Sequence, residues 1–346
     1  MYLITKLLLQ FVRLNNRFII FFALLFIVLC SLLAFQLEPE TFKTRFNSFW
    51  WVMTTVTTVG YGDFYPHTVA GKWLGIFVYL FGIGLISLTI SKIIDAMFIY
   101  HKKKEEGKLQ YMGEQHFVII EWSKHAENAI QEILESDPKV EVVLIDSLEK
   151  TPFNDIRVHY IQGNPVHLDT LEKANMAKAR AVFIFADEVT RYQNTIRDPA
   201  FIDGKTLLIA TTIEKNYSNV YSIVEIRDRE NLENFRHIQV NEFILSSEMV
   251  SQLAVRSAFN PGSTKLLSQL LTRTYGDDLY EIPSNPNWNT FHDAFTDLLN
   301  QGATLISDGT NLNINRRLTE QIPADARLFV ICDRETYENL LLIAKK

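Results

Sequence analysis

Two apolar segments near the N-terminus constrain the fold of this 346-residue chain most strongly. Residues 18–35 contain no charged side chain and are about as long as a helix that crosses the core of a bilayer. The second segment, residues 70–100, is longer than one crossing requires. Basic residues precede the first segment and follow the second, and such clusters favour the cytoplasmic side. We therefore expect two transmembrane helices, at residues 18–36 and 70–100, in the inner (plasma) membrane, with lipid around them and both termini in the cytoplasm.

The first apolar segment could also be the apolar region of a cleaved signal peptide. Such a region is shorter, and a small-residue cleavage site follows it. Here Gln36, Glu38 and Glu40 follow, so the sequence favours a retained helix. Residues 1–17 combine leucines with basic residues, which predicts either an interfacial helix on the inner leaflet or an extension of the first span.

A glycine-containing run lies between the two segments. Its residues are Thr58, Val59, Gly60, Tyr61 and Gly62, followed by Asp63. In an extended run of this sequence, backbone carbonyls line a narrow pore and replace the hydration shell of K⁺, and Gly60 and Gly62 allow the dihedral angles that this requires. One copy lines a quarter of a pore, so the run predicts a homotetramer with K⁺ as the permeant ion. A plain apolar strand that ends in a glycine turn is the alternative, and the flanking spans argue against it.

The residues before this run predict its support. Residues 47–57 are expected to form a short pore helix, and the negative C-terminal end of such a helix favours a cation. Trp50 and Trp51 either brace the run from behind or lie at the membrane interface.

The second span carries the features of a gate. Gly82 and Gly84 interrupt it, which predicts a gating hinge, with close helix packing as the alternative. Ser87 and Ser91 share a helical face with Gly84 and are therefore expected to line the pore.

A charged linker, residues 101–114, leads into a soluble α/β pattern. Residues 115–245 alternate strand-like and helix-like segments, which predicts a parallel sheet. Residues 206–213 are rich in β-branched side chains, yet we expect a helix there because a crossover must join the fourth and fifth parallel strands. Residues 246–273 are expected to form crossover helices, and residues 274–346 a small α+β unit.

Charge and cysteine content narrow the range of partners. The formal net charge of -6 gives no reason to expect a nucleic acid. Cys30 and Cys332 are too few for a disulfide framework or a zinc cluster.

Two regions of the chain resemble known families. Trp50, Trp51 and residues 58–63 resemble the pore of two-transmembrane prokaryotic potassium channels. Residues 115–346 resemble a regulator-of-conductance (RCK) domain, also called KTN or TrkA-like. That resemblance rests on Trp122 and Ser123 after the first strand, Asp146, Gly163, Asn164, Pro165, Ala181, Val182 and residues 327–331.

The resemblance covers almost the whole chain and implies both a fold and a function. The fold is an α-helical membrane pore (two transmembrane helices plus a pore helix) joined to an α/β Rossmann-like RCK domain with a small α+β C-terminal lobe. The function is that of a ligand-gated potassium channel, similar to the calcium-gated archaeal type, and not that of an enzyme. In such a channel an RCK gating ring binds a nucleotide or a divalent cation.

This sequence departs from the family's patterns at several positions. Some relatives carry a pore-helix carboxylate where this chain has Thr54, so the inactivation tied to that carboxylate is not implied. Glu121, Ser123 and Ala126 stand where a dinucleotide-binding loop has its three glycines, which argues against a tightly held NAD. Arg227 stands where the family's calcium site has a second acid.

The resemblance still implies a candidate site for a nucleotide such as NAD, ADP or ATP. Its residues are Ser123, Asp146, Gly163, Asn164 and Asp187. Asp146 occupies the place of the acid that binds an adenosine ribose, with a solvated aspartate at a strand end as the alternative. Gly163 and Asn164 either line the same cleft or form a plain turn.

A calcium site is the other candidate. Ca²⁺ is bound by several converging carboxylate and carbonyl oxygens. The resemblance implies Asp187, Glu188 and Glu225 as ligands, with an ion pair between Glu225 and Arg227 as the alternative.

Other functions and assemblies remain open at this point. Met112 could start a free copy of the RCK domain, as in some relatives, or be incidental. A membrane-anchored NAD-dependent oxidoreductase would need a glycine-rich loop and a catalytic constellation that the sequence lacks. A non-conducting regulatory subunit of a K⁺ transporter would usually lack the spans within residues 18–99.

Overall fold

The computed structural model describes residues 16–186, 198–272, 276–309, 311–323 and 325–344. The chain divides into two compact units, Met1–Lys103 and Lys104–Lys346. The interfacial helix expected at residues 1–17 lies, up to residue 15, outside the described residues.

The first unit is helical. Its described helices are α1 (Asn16–Leu37), α2 (Pro39–Phe42), α3 (Arg45–Val56), α4 (Val69–Phe77), a π-helical segment (Val78–Gly82) and α5 (Ile83–Glu105). Within the part of the chain that the structure describes, two stretches are long and apolar enough to cross a membrane, Phe18–Leu37 with a mean hydropathy of 3.1 and Val69–Glu105 with 2.1. The two apolar helices and the short helix between them were expected from the sequence.

Helices α1 and α3 build the core of the first unit. Helix α3 begins where the Thr44 hydroxyl oxygen accepts the N–H of Asn47 at 3.2 Å. Its buried residues Trp51 and Val56 belong to one apolar cluster with Ile27 of α1. Other α1 side chains, such as Leu24, stay exposed, as expected of a surface that meets lipid.

The second unit contains a six-stranded parallel sheet. Its strands are β1 (Phe117–Ile120), β2 (Val142–Asp146), β3 (Val158–Gln162), β4 (Ala181–Ile184), β5 (Tyr221–Ile226) and β6 (Glu242–Leu245). The strand order is β3-β2-β1-β4-β5-β6, with every neighbouring pair parallel. The order reverses between β1 and β4, and in such sheets ligands bind outside the carboxyl ends of the strands at that point. The expected Rossmann-like fold is confirmed.

The α-helices described between strands of the parallel sheet are α6 (Lys124–Ser136), α7 (Leu168–Lys173) and α8 (Pro199–Tyr217). Helix α8 confirms the helix expected at residues 206–213. Thr206, Ile209, Ala210 and Ile213 are its buried residues in that stretch, with the spacing of one helical face. Burial of that face therefore outweighs the weak strand preference of β-branched side chains.

The end of the chain forms a separate small lobe after helices α9 (Ser246–Phe259) and α10 (Ser263–Leu271). The lobe contains β7 (Asp278–Ile282), α11 (Phe291–Asn300), β8 (Thr304–Asp308), β9 (Leu328–Cys332) and α12 (Arg334–Ala344). Its strands form an antiparallel sheet in the order β7-β9-β8. Thr290 and Asp293 cap the start of α11 reciprocally, and Phe291 and Leu298 on that helix are fully buried. The lobe is the expected α+β unit.

Candidate functional site

The backbone of residues 58–62 alternates in handedness. Thr58, Gly60 and Gly62 have φ values of 62°, 53° and 77°, whereas Val59 and Tyr61 between them have negative φ. A Cβ atom added to Gly60 or Gly62 would meet nothing within 4 Å. Both glycines are therefore required by their backbone conformation rather than by lack of space. Alternation of this kind is what allows successive carbonyls to face one axis.

The C-terminal end of α3 holds the start of this run. The N–H of Thr58 donates to the Thr55 carbonyl at 3.0 Å, and those of Val59 and Gly60 donate to the Thr54 carbonyl at 2.9 and 3.1 Å. Thr58 is β-branched, so its positive φ is strained by about 1–3 kcal/mol. The three hydrogen bonds to α3 offset that strain.

The two tryptophans of α3 have different roles. The Trp50 ring stacks on Tyr61 with 5.7 Å between ring centroids and an interplanar angle of 2°. Its Nε1–H donates to Oδ2 of Asp63 at 2.9 Å. Trp51 is only 4% exposed and packs on Phe42 with 5.4 Å between centroids. Trp50 thus braces the run directly, and Trp51 belongs to the core behind it.

Glu38 is a structural residue that the sequence interpretation missed. Its carboxylate accepts the N–H groups of His67 and Thr68 at 2.9 and 2.8 Å and the hydroxyls of Thr68 and Thr41 at 2.7 and 2.8 Å. Burial alone would raise the pKa of Glu38, but these hydrogen bonds outweigh it and lower the pKa from 4.5 to about 2. Glu38 therefore ties the end of α1 to the loop after the run.

Two neighbours depend on this carboxylate. Thr68 caps α4 through the N–H of Gly71 at 3.0 Å. A Cβ on Gly71 would lie 2.2 Å from Oε1 of Glu38, so only glycine fits there. The sequence indicates this role of Glu38 only by placing a carboxylate directly after an apolar segment. A carboxylate in that position is equally typical of an exposed turn.

The second span places its two glycines in different surroundings. Gly82 closes the π-helical segment, and a Cβ on it would lie 2.6 Å from Cγ2 of Val56 in α3. A Cβ on Gly84 would meet nothing within 4 Å. Ser87 and Ser91 are exposed on α5. The hinge and pore-lining assignments of these residues stay predictions.

In the second unit, the candidate nucleotide residues end or follow parallel strands. Asp146 Oδ2 accepts the N–H of Trp122 at 2.6 Å, and its Oδ1 accepts the N–H of Leu148 at 3.0 Å. The Ser123 hydroxyl oxygen accepts the N–H of Ala126 at 3.2 Å and so caps α6. Asp146 and Ser123 thus both order the backbone around the cleft.

The turn after β3 is equally well packed. A Cβ on Gly163 would lie 2.4 Å from the Thr170 hydroxyl oxygen, so Gly163 allows the close approach of α7. Asn164 Oδ1 accepts the N–H of Val166 at 3.1 Å. Asp187, the fifth candidate, lies outside the described residues.

Glu121 replaces the first glycine of a dinucleotide-binding loop. It has a positive φ of 70°, is 6% exposed, and its Oε1 lies 2.6 Å from Nζ of Lys205 on α8. Glu121 thus keeps the backbone conformation that usually requires glycine, and its buried carboxylate pairs with the half-buried Lys205. The described residues do not offer the glycine cradle that a pyrophosphate requires, so the fit to a dinucleotide is incomplete there.

The candidate metal residues are only partly described. Glu225 is 2% exposed, and its carboxylate lies 3.1 Å from Nδ1 of His125 and accepts the N–H of Ala186 at 3.0 Å. The N–H of Arg227 donates to Asp203 at 2.8 Å. Asp187 and Glu188 lie outside the described residues. Among the residues that are described, no three His, Cys, Asp or Glu side chains could together hold a metal ion.

Comparison with known proteins identifies both units. Residues 17–98 match an ion channel family, and residues 117–246 match the TrkA-N domain family. The putative potassium channel protein YugO of Bacillus subtilis is 32% identical over 234 residues, which cover 65% of this chain and 68% of that protein. The calcium-gated potassium channel TvoK of Thermoplasma volcanium is 28% identical over 240 residues, 69% of this chain and 67% of that protein.

Solved structures match this chain at low sequence identity. The human SLO3 gating ring matches 66% of this chain with a TM-score of 0.50 and 14% identity, and 46% of its own chain is covered. A GsuK channel bound to NAD matches 97% of this chain with a TM-score of 0.44 and 15% identity, and 60% of its own chain is covered. The chain thus spans less than two thirds of the length of these solved channel chains. The chain belongs to the family of potassium channels that join a two-helix ion-channel pore to a TrkA-N (RCK) domain.

Proposed function

We propose that this chain forms a homotetrameric, ligand-gated K⁺ channel of the plasma membrane, with both termini in the cytoplasm and no enzymatic activity. The observation that carries the proposal is the alternation of φ at Thr58, Gly60 and Gly62, held by carbonyls at the end of α3. Residues 58–62 are the selectivity filter, whose carbonyls replace the hydration shell of K⁺. Asp63 is fixed by Trp50 at the outer end of the filter.

Four chains are needed because one filter strand lines only part of a pore. In the tetramer the second units assemble into a cytosolic gating ring. Free copies of the RCK domain, translated from a start at Met112, could also join this ring. A ligand shifts this ring between open and closed forms only by binding one form more tightly than the other. We place the ligand at the carboxyl edge of the parallel sheet, where Asp146 and Glu225 lie. The name of the relative TvoK supports a divalent cation, whereas the strand order supports a nucleotide.

A K⁺ flux assay on the full chain in liposomes tests conduction. The variant Gly60→Ala must adopt φ near 53° with a side chain, although nothing within 4 Å opposes the added methyl group. We expect intact tetramers without K⁺-selective flux. Gly309→Ala is a matched control, because Gly309 also has a positive φ of 62° and open space but lies in the C-terminal lobe. Selective flux through Gly60→Ala tetramers would contradict the proposal.

Thermal shift measurements on the purified full chain test the ligand. Each sample receives one of four ligands: NAD, ADP, ATP or Ca²⁺. A ligand that binds the folded state raises the midpoint temperature of unfolding in proportion to the logarithm of the ligand concentration. Asp146→Asn should abolish a nucleotide shift, and Glu225→Gln a Ca²⁺ shift. A shift that survives both substitutions would place the ligand elsewhere.

A further inference from the structure

The linker after α5 is docked closely on the second unit. Two linker carbonyls accept backbone hydrogen bonds: that of Glu105 from the N–H of Thr151 at 2.8 Å and that of Gly107 from the N–H of Gln162 at 3.0 Å. Two linker N–H groups donate: that of Tyr111 to the Lys173 carbonyl at 2.8 Å and that of Gln115 to the Lys178 carbonyl at 2.9 Å. Gly107 has a φ of 62°, and a Cβ on it would lie 2.3 Å from the Gln162 nitrogen. Residues 105–115 therefore follow one fixed path along the sheet.

Four side chains at the centre of this path form what we term the histidine latch: Tyr111, His116, Glu141 and His159. The Tyr111 ring packs against His116 and His159, with centroid distances of 4.5 and 5.4 Å. Its hydroxyl donates to Oε2 of Glu141 at 2.5 Å. Tyr111 is only 8% exposed, so the linker inserts this ring between two imidazoles.

Hydrogen bonds fix which nitrogen of each imidazole carries a proton. Nε2 of His116 lies 3.0 Å from the Ala174 carbonyl, and Nε2 of His159 lies 2.9 Å from the Leu109 carbonyl of the linker itself. A carbonyl oxygen only accepts hydrogen bonds, so each Nε2 carries the proton. Nδ1 of His116 is buried without a hydrogen-bond partner among the described residues, and His116 is 1% exposed. A second proton there would place an unpaired cation in the core.

The charged groups near the two histidines do not reverse the effect of burial, which favours the neutral imidazole. Burial is the largest effect and lowers the pKa of both His116 and His159 from 6.5. The hydrogen bonds to the carbonyls of Ala174 and Leu109 oppose this shift of the pKa, and so does Glu141 at both rings. His159 adds to the shift at His116, and Lys104 adds to it at His159. The two histidines therefore bind protons less readily when residues 105–115 are docked than when they are released.

We propose that the histidine latch is a proton-operated switch, which holds residues 105–115 on the sheet at neutral cytosolic pH and releases them on acidification. The effect on the pore rests on the gating proposed above, but docking itself is measurable without current. A histidine whose pKa is lowered by docking favours the docked state above its ordinary pKa of about 6.5 and loses that contribution as the pH falls below it. At about pH 5.5, protonation of one histidine lowers the equilibrium constant for docking by up to about tenfold. Protonation of both histidines lowers it by up to about a hundredfold.

Hydrogen exchange on the full-length channel in detergent tests the latch. The Tyr111 amide, bonded to the Lys173 carbonyl, reports docking once its rate is corrected for the intrinsic effect of pH. We expect its protection to fall from about pH 8 to about pH 5.5, by up to about a hundredfold. In the double variant His116→Gln/His159→Gln, the glutamine amide can still donate to each carbonyl but does not titrate. Its protection should change less than about twofold.

Control variants separate the latch from general acid effects. His237→Gln removes an exposed histidine and should behave like the wild type. Tyr111→Phe keeps the ring but loses the bond to Glu141, so protection should be lower at every pH while its pH dependence remains. Should the double variant not assemble, each single variant is measured, and its fall in protection with pH should be smaller than that of the wild type and at most about tenfold. Wild-type protection that does not change with pH, or an equal fall in wild type and glutamine variants, would overturn the proposal.

Discussion

Nε1 of Trp50 lies 2.9 Å from Oδ2 of Asp63, thirteen residues later in the chain, and donates a hydrogen bond to it. The same indole stacks on Tyr61. One side chain of α3 therefore fixes both the aromatic residue of the proposed filter and the carboxylate that follows it. The end of the proposed filter next to Asp63 is held by side chains, whereas its start is held by backbone bonds to Thr54 and Thr55.

The first prediction concerns this hydrogen bond. Trp50→Phe keeps an aromatic ring next to Tyr61 but removes the donor to Asp63, a loss of about 1 kcal/mol at an exposed site. We expect tetramers that conduct K⁺ but whose current declines faster during sustained recording in planar bilayers. Trp73→Phe, at a 68% exposed position of α4, is the control and should record like the wild type. Identical decay in both variants would contradict a bracing role for Trp50.

The second prediction concerns Glu38. Glu38→Gln replaces an acceptor of four hydrogen bonds by a group that brings its own N–H donors, so on the order of 2 kcal/mol of stability should be lost from the pore unit. Thermal dissociation of the detergent-solubilised tetramer measures this loss. Glu40→Gln, at an exposed position of α2, is the matched control.

Glu38 also predicts a pH dependence. Its pKa is lowered in the folded state, so its contribution is fully present above about pH 4.5 and is lost as the pH falls towards about 2. The wild-type tetramer should lose stability across that window, and Glu38→Gln should lose less. If the stability of the two tetramers fell equally as the pH is lowered, Glu38 would not be the group responsible for the pH dependence.

The third prediction separates a hinge from close packing at the two glycines of the second span. Gly82→Ala places a methyl group 2.6 Å from Val56 and should destabilise the pore, with partial rescue by Val56→Ala. Gly84→Ala fits without a contact and should stabilise α5 by about 0.5–1 kcal/mol. If Gly84 is the hinge, single-channel open probability falls in Gly84→Ala although its thermal stability rises. An unchanged open probability would leave packing at Gly82 as the role of the pair.

The fourth prediction concerns the ion pair beside the candidate ligand cleft. Lys205→Met removes the cation that lies 2.6 Å from the buried carboxylate of Glu121 and should lower the stability of the second unit by about 3 kcal/mol. Glu121→Gly should be tolerated much better, because glycine suits a φ of 70° and removes the charge. Denaturant unfolding of the two full-length variants compares them. Equal losses would show that the charge of Glu121 is not what Lys205 stabilises.

Local sequence patterns were sufficient to predict the two long apolar helices and the alternating strands and helices, because each depends on neighbouring residues, whereas the filter assignment of residues 58–62 stays a prediction. The helix at residues 206–213 required one tertiary argument, the crossover between parallel strands. Side-chain pairings over long separations were not predictable: Glu38 meets His67 and Thr68 across 29 and 30 residues, and Tyr111 meets Glu141 across 30. Nothing near Glu121 in the sequence indicates that Lys205 will neutralise it. The ligand assignments at Asp187 and Glu188 fall on residues that the structure does not describe.

The docked linker leaves very little free chain. Helix α5 ends at Glu105, whose carbonyl already binds Thr151, and Gly107 is fixed on Gln162 two residues later. In a chimeric channel, a foreign sensor domain fused after α5 must therefore make its first backbone contacts within about two residues of the helix end. Each extra residue would lengthen the connection by up to about 3.5 Å, and a movement of the sensor smaller than that length would not reach α5.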